Sequence, residues 1–191
     1  MNRLVYLISP EKIDKNFCND LDKVLSYKNV KFFQLRLKKI KHSSLLKIIL
    51  KIKKITKKYN VKLIINDNYI LASKINVDGC HIGQLDGPID KARLKLKNKI
   101  LGVTCHNSKN LAKKAIKNNA DYIAFGSFFK SRLKPKARKA NLDILKWAKK
   151  EIKKPIVVIG GINNLNYKKL INVGAKYIAI SSYIWDNPNL K

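Results

Sequence analysis

The chain has 191 residues, 46% of them hydrophobic, and sets 42 Lys and Arg against 12 Asp and Glu for a net charge of +30. That length suits one domain, residues 1–191, with a substantial core, and no apolar run reaches the roughly 20 residues of a membrane-spanning helix. Cys18, Cys80 and Cys105 are far apart, and neither they nor His42, His81 and His106 stand at zinc-ligand spacing. Unpaired, mostly buried thiols in a reduced compartment, the cytoplasm, are the expectation.

The positive charge is nearly all lysine, dispersed through helical runs such as KKIKHSSLLKIILKIKKITKKYN, in a chain also rich in Ile and Asn. Those are residues of A/T-rich codons, and no aromatic-basic platform for stacking bases is visible. Genome composition therefore accounts for much of the excess, and no specific nucleic-acid partner is expected. A general attraction for small anionic molecules follows in any case.

Eight short β-type runs alternate with amphipathic helical runs. In chain order they are LVYLIS (4–9), KFFQLRL (31–37), KLIIND (62–67), DGCHIGQ (78–84), KILGVTC (99–105), DYIAFGS (121–127), PIVVIGG (155–161) and KYIAISS (176–182). The first is too short for a signal peptide's apolar region and lacks a small-residue cleavage site, so it is read as a strand. Strands apolar nearly throughout, separated by helices, form a parallel sheet covered on its outer face. Eight such units predict an α/β fold of the compact (β/α)8 TIM-barrel type. The competing doubly wound sheet lacks its glycine fingerprint after the first strand. Short helices are expected after the fourth strand, at GPIDKARLKL, and in the tail YIWDNPNLK.

Chemistry in such a barrel sits at the C-terminal strand ends. On the second strand, period two puts Gln34, Arg36 and Lys38 on one face. Two cations and an amide at a barrel rim suit a diphosphate. The third strand ends in Asn66-Asp67, and Asp86 follows the fourth. Carboxylates on neighbouring strand ends can share Mg²⁺, which takes one or two of them plus substrate phosphate oxygens. For either carboxylate alone, a cap on the following helix is the alternative. Gly160-Gly161 after the seventh strand and Ser181-Ser182 after the eighth occupy the recurrent phosphate position of this fold.

These motifs resemble the thiamine phosphate synthase family over nearly the whole chain. QLRLK is similar to that family's Q-x-R-x-K strand, LIINDN to its I-N-D motif, DGCHIGQLD to G-x-H-x-G-Q-x-D, and LGVTCHN to G-V-S-x-H. ADYIAFGSFF, PIVVIGGI and AISS match the last three strands. The resemblance implies an enzyme that joins a hydroxymethylpyrimidine diphosphate to a thiazole phosphate, giving thiamine phosphate and diphosphate. It implies that Gln34, Arg36, Lys38 and Asn66 hold the pyrimidine diphosphate and that Asp67 and Asp86 bind Mg²⁺. Thr104, where the family has Ser, lies near the pyrimidine and leaving group. Ser131 contacts the thiazole substrate, Lys134 the diphosphate, and Gly161 with Ser181 and Ser182 the thiazole's phosphate. Arg36, Lys38 and Lys134 then neutralise charge building on the leaving group.

Two features depart from the family. The loop after the sixth strand reads Lys130-Ser131-Arg132-Leu133-Lys134 where the family has P-T-x-T-K, so Leu133 removes a hydroxyl. The segment before the first strand is also short, which leaves that rim less covered. Other readings are a thiazole tautomerase, for which His106 just past the fifth strand is a candidate, and a non-catalytic relative that only binds thiazole phosphate. Asn66, Asp67, Gln84 and Asp86 favour the synthase over the tautomerase. His106 is alternatively a hydrogen-bonded residue at a helix start. A basic nucleic-acid-binding barrel is the alternative of another class. Small molecules are the expected partners, no membrane is implied, and a homo-oligomer is allowed.

Overall fold

Eight strands of four to seven residues each close on themselves in sequence order. They are β1 (Val5–Ile8), β2 (Val30–Leu35), β3 (Lys62–Asn66), β4 (Gly79–Ile82), β5 (Ile100–His106), β6 (Tyr122–Gly126), β7 (Ile156–Ile159) and β8 (Tyr177–Ile180). Every neighbouring pair is parallel, and β8 returns to β1, so the computed structural model is a (β/α)8 barrel. It describes residues 3–37, 40, 42–130 and 139–190. The helices are α1 (Phe17–Ser26), α2 (His42–Lys58), α3 (Tyr69–Lys74), α4 (Ile89–Leu96), α5 (Lys109–Lys117), α6 (Leu142–Glu151), α7 (Tyr167–Val173) and α8 (Ser182–Trp185). Among the described residues none is long and apolar enough to cross a membrane.

The economy of a 191-residue barrel is met by short helices, and not only at the two expected places. α4 has eight residues and α8 four, while α3 has six and α7 seven. Such short helices need defined ends. Asn68, Ser108 and Asn141 start α3, α5 and α6 by accepting hydrogen bonds from Leu71, Leu111 and Ile144 N–H groups. Gly174, at φ +131°, ends α7 in a conformation that side chains resist.

Alternation along the strands sorts residues into two cores. Leu7, Phe33, Leu35, Leu63, Ile65, Cys80, Val103, Ile123 and Val158 face outward and meet the helices. Tyr6, Ile8, Phe32, Ile64, Tyr122, Ala124, Val157 and Ala179 fill the barrel interior. Each fully buried Leu or Phe contributes about 1.5–3 kcal/mol, and truncating Phe33, which is fully enclosed, costs about 3–5 kcal/mol. Scarce acidic side chains also hold the bottom of the barrel. Asp78 accepts from Leu63 N and pairs with Lys62, and Asp121 accepts from Leu101 N and pairs with Arg93. The bottom face reads as stability, which leaves the top for chemistry.

Candidate active site

At the top of β3 the chain turns sharply. Asp67 takes a left-handed conformation at φ +63°, and its N–H donates to His81 O at 2.7 Å. The cap of α3 is Asn68, not Asp67. Past β4, Asp86 Oδ2 accepts from Gly83 N at 2.7 Å, while the residue before α4 is Pro88. Neither carboxylate caps a helix, which removes the structural alternative for both.

Burial, and then the neighbouring Asp86 carboxyl, push the Asp67 carboxyl up to about 6, against the opposing pull of Arg36 and Asn66. A half-buried carboxyl whose charge is disfavoured by an adjacent one marks a place where a cation is welcome. Among the described residues no third His, Cys, Asp or Glu joins them to form a metal-binding group. A pair alone fits Mg²⁺, which keeps several waters and takes phosphate oxygens from its substrate. An open depression lined by Asn68, Tyr69 and Ile70 lies beside them.

Arg36 stands just past β2 with 14% of its side chain exposed. Its backbone N–H donates to Ser9 Oγ at 2.8 Å, and its guanidinium pairs with Glu11 at 2.6 Å. Glu11, in the loop after β1, carries no motif and was not among the expected residues. Gln34 is expected at the rim beside Arg36 but sits one layer lower, 3% exposed, because β2 pairing continues to Leu35. Its Nε2 donates to Tyr6 Oη at 3.2 Å. Thr104, near the end of β5, lies 2.8 Å from His81 Nε2. Its carbonyl accepts from Gln84 Nε2 at 2.5 Å, so Gln84 ties the loop after β4 to β5.

The opposite side of the mouth is built differently. Gly160 and Gly161 follow β7 at φ +108° and +59°. A Cβ on Gly160 would meet Ser127 Oγ at 1.9 Å, and one on Gly161 would meet Lys130 O at 2.4 Å. Close passage of the segment after β6 therefore requires both glycines, whatever else they contact. Asn166 Nδ2 donates to Gly161 O, and Ser181 Oγ donates to Ser9 O at 3.3 Å. Ser182 opens α8, which Trp185 anchors by donating to Ile8 O at 2.6 Å.

Lys38, Ser131, Leu133 and Lys134 lie outside the described residues. His106 is the exposed last residue of β5, in left-handed conformation, and the start of α5 is capped by Ser108 instead. Cys80 and Cys105 are buried free thiols, and Cys18 is half-buried. Burial pushes the Cys105 thiol up to about 12 and that of Cys80 higher still, so neither serves as a nucleophile. The sequence reading missed Tyr6, Tyr122 and His81, which form a hydrogen-bonded set inside the barrel. The inward turn of Gln34 was the available signal for them.

The model of the family described as thiamine monophosphate synthase matches residues 5–184. The chain belongs to that family. It is 56% identical over 190 residues to the thiamine-phosphate synthase of Pelagibacter ubique, covering 99% of this chain and 92% of that one. It is 37% identical over 186 residues to the thiamine-phosphate synthase of Erythrobacter litoralis, covering 95% and 87%. Among solved structures, thiamine phosphate pyrophosphorylase from Pyrococcus furiosus superposes with a TM-score of 0.88 at 27% identity, over 99% of this chain and 91% of that one. The Pyrococcus furiosus protein thus shares the fold described above.

Proposed function

We propose that the top of this barrel makes thiamine phosphate. The chain is a thiamine-phosphate synthase, a transferase that joins a hydroxymethylpyrimidine diphosphate to a thiazole phosphate and releases diphosphate. The observation that carries this reading is the convergence of Asp67 and Asp86, neither spent on a cap, beside Arg36. Membership of the family supports it.

Asp67 and Asp86 would hold Mg²⁺. When bound there, the ion supplies positive charge to oxygens of the departing diphosphate. Arg36 offers two N–H groups in one plane to the same diphosphate, exchanging part of its bond to Glu11 for it. Lys38 and Lys134 add positive charge on the strength of their motif positions alone. Gln34, at the floor of the mouth, and Asn66 orient the pyrimidine, and Thr104 stands near it with its hydroxyl beside His81. Gly161, Ser131, Ser181 and Ser182 take the thiazole phosphate.

Charge stabilisation of the leaving group is the main demand, since bond breaking leaves a pyrimidine methyl cation. The attacking thiazole nitrogen carries no proton, so no side chain has to act as a general base. The substrates are small molecules and the compartment is the cytoplasm, which the unpaired thiols support. The test is direct. Purified protein with pyrimidine diphosphate, thiazole phosphate and Mg²⁺ forms thiamine phosphate, and EDTA stops it. Product formation unaffected by EDTA would remove the metal role, and no product at all would remove the synthase reading.

A further inference from the structure

Below the mouth, a line of polar side chains crosses the barrel interior, where apolar packing is otherwise the rule. Gln34 Nε2 donates to Tyr6 Oη at 3.2 Å, and Tyr6 Oη lies 2.7 Å from Tyr122 Oη. Tyr122 Oη lies 2.9 Å from His81 Nδ1, and His81 Nε2 lies 2.8 Å from Thr104 Oγ1. Four strands of the first six contribute these residues beside β2, so the line is a property of the closed barrel. It also has a cost in shape. A Cβ on Gly102 would meet the Tyr122 ring at 1.9 Å, so β5 forgoes a side chain to admit it.

Proton accounting gives the line a direction. Burial pushes both phenols well above the ordinary tyrosine value, so each keeps its single proton. Tyr6 oxygen already accepts from Gln34, and its own proton, enclosed in the interior, is satisfied by donating to Tyr122. The Tyr122 proton then goes to His81 Nδ1, which must present a lone pair. With Nδ1 accepting, the neutral ring has its proton on Nε2, 2.8 Å from Thr104 Oγ1. The Thr104 proton is then released from the line and free to be donated elsewhere. Reversing the Gln34 amide would reverse every bond, and Thr104 would offer only lone pairs.

We propose that Tyr122, backed by Tyr6, is a positioning residue that fixes His81 as the Nε2–H tautomer and so presents the Thr104 hydroxyl as a hydrogen-bond donor. Its target is a lone-pair acceptor on the pyrimidine diphosphate, and this part rests on the synthase reading above. Tyr122 does not touch substrate. It acts through His81, whose ring it stacks upon at 5.6 Å and 17°.

The test joins a spectroscopic and a kinetic readout. Nitrogen-15 NMR of the substrate-free protein at alkaline pH is expected to show the His81 ring protonated on Nε2. Tyr122→Phe keeps the ring stack and the Gly102 contact but is expected to give a mixture of tautomers. Tyr6→Phe, one bond further back, is expected to release the ring in part, and it serves if the first variant does not fold. In kinetics, Tyr122→Phe is expected to lower kcat/KM for pyrimidine diphosphate by about tenfold, the worth of one hydrogen bond. The KM for thiazole phosphate should stay within about twofold. Thr104→Val should lose about as much, and the double variant no more than Thr104→Val alone. A wild-type ring protonated on Nδ1, a ring unchanged in both Tyr variants, or additive losses would overturn the proposal. The NMR result does not depend on turnover, so an inactive wild type would count against the synthase reading and leave the tautomer result standing.

Discussion

In the proposed function the two halves of the barrel mouth have the same task, holding an anion at the ends of parallel strands, and they are built for it by different physical means. The β2–β4 half places charged side chains where their charges are not fully compensated. Burial and the neighbouring Asp86 carboxyl disfavour the ionisation of Asp67, and Arg36 is held by Glu11. The β7–β8 half is made of backbone and small residues, with Gly160 and Gly161 fitted against the segment after β6. Residues in the first half are there at some expense to stability, whereas those in the second are required by packing as well. Activity and stability should therefore come apart on one side of the mouth and move together on the other.

The largest expected effect tests the first half. Asp67→Ala should lower kcat by about 10³-fold or more, the scale of losing a preorganised charge in the transition state. Far-ultraviolet circular dichroism and the unfolding midpoint should remain those of a folded barrel. An unimpaired rate would remove Asp67 from the metal site.

Gly161→Ala is the matching test of the second half. Placing a side chain at φ +59° costs about 1–2 kcal/mol, and the contact with Lys130 O at 2.4 Å adds to it. Urea unfolding should show a loss of about 2–3 kcal/mol, together with a raised KM for thiazole phosphate. A variant as stable as wild type would show that the segment after β6 yields easily, which would erase the contrast between the halves.

Much of this was legible in the sequence, for identifiable reasons. Strands such as PIVVIGG are apolar throughout because one face meets helices and the other meets the barrel interior, and eight of them alternating with helices leave few architectures. Asp67, Asp86 and Arg36 could be placed because they stand beyond strand ends, where position along the chain determines height in the barrel. The Tyr6–Tyr122–His81 line could not, because it depends on how eight strands are staggered. Tyr122 pairs with Gly102, and Gly102 with His81, only in the assembled register. Gln34 was placed one layer too high for the same reason. Glu11 was missed because a loop glutamate has no periodicity to betray it.

A smaller effect concerns metal-free stability against pH. Asp67 has a folded value of about 6 against an ordinary 3.8, so between those values the folded chain binds more protons than the unfolded one. Stability contributed by this group is thus greatest at low pH and falls as pH rises from about 4 to about 6. Asp67→Asn should remove that slope. Without metal it should melt a few degrees above wild type at pH 8 and level with it near pH 4. Mg²⁺ should raise the wild-type midpoint at pH 8 and do less near pH 5, since the ion competes with a proton. Equal slopes in the two proteins would show that the carboxyl pair is not strained.

The smallest effect sharpens the same half by its partner rather than its charge pair. Glu11 is 44% exposed and its bond to Arg36 is worth under about 1 kcal/mol to the fold. Its expected consequence for binding is more specific, because in the proposed function the guanidinium it holds is one that a diphosphate shares. Glu11→Gln leaves a neutral acceptor in place and frees most of the Arg36 charge. Initial rates with each substrate varied should show a two- to threefold lower KM for pyrimidine diphosphate, corresponding to about 0.5 kcal/mol. The kcat and the KM for thiazole phosphate should change little, since the proposed role of Arg36 is toward the pyrimidine diphosphate alone. A raised KM would reverse the assignment of Glu11. It would then be the group that holds Arg36 in its productive direction, and the first half of the mouth would be organised by packing in the manner of the second.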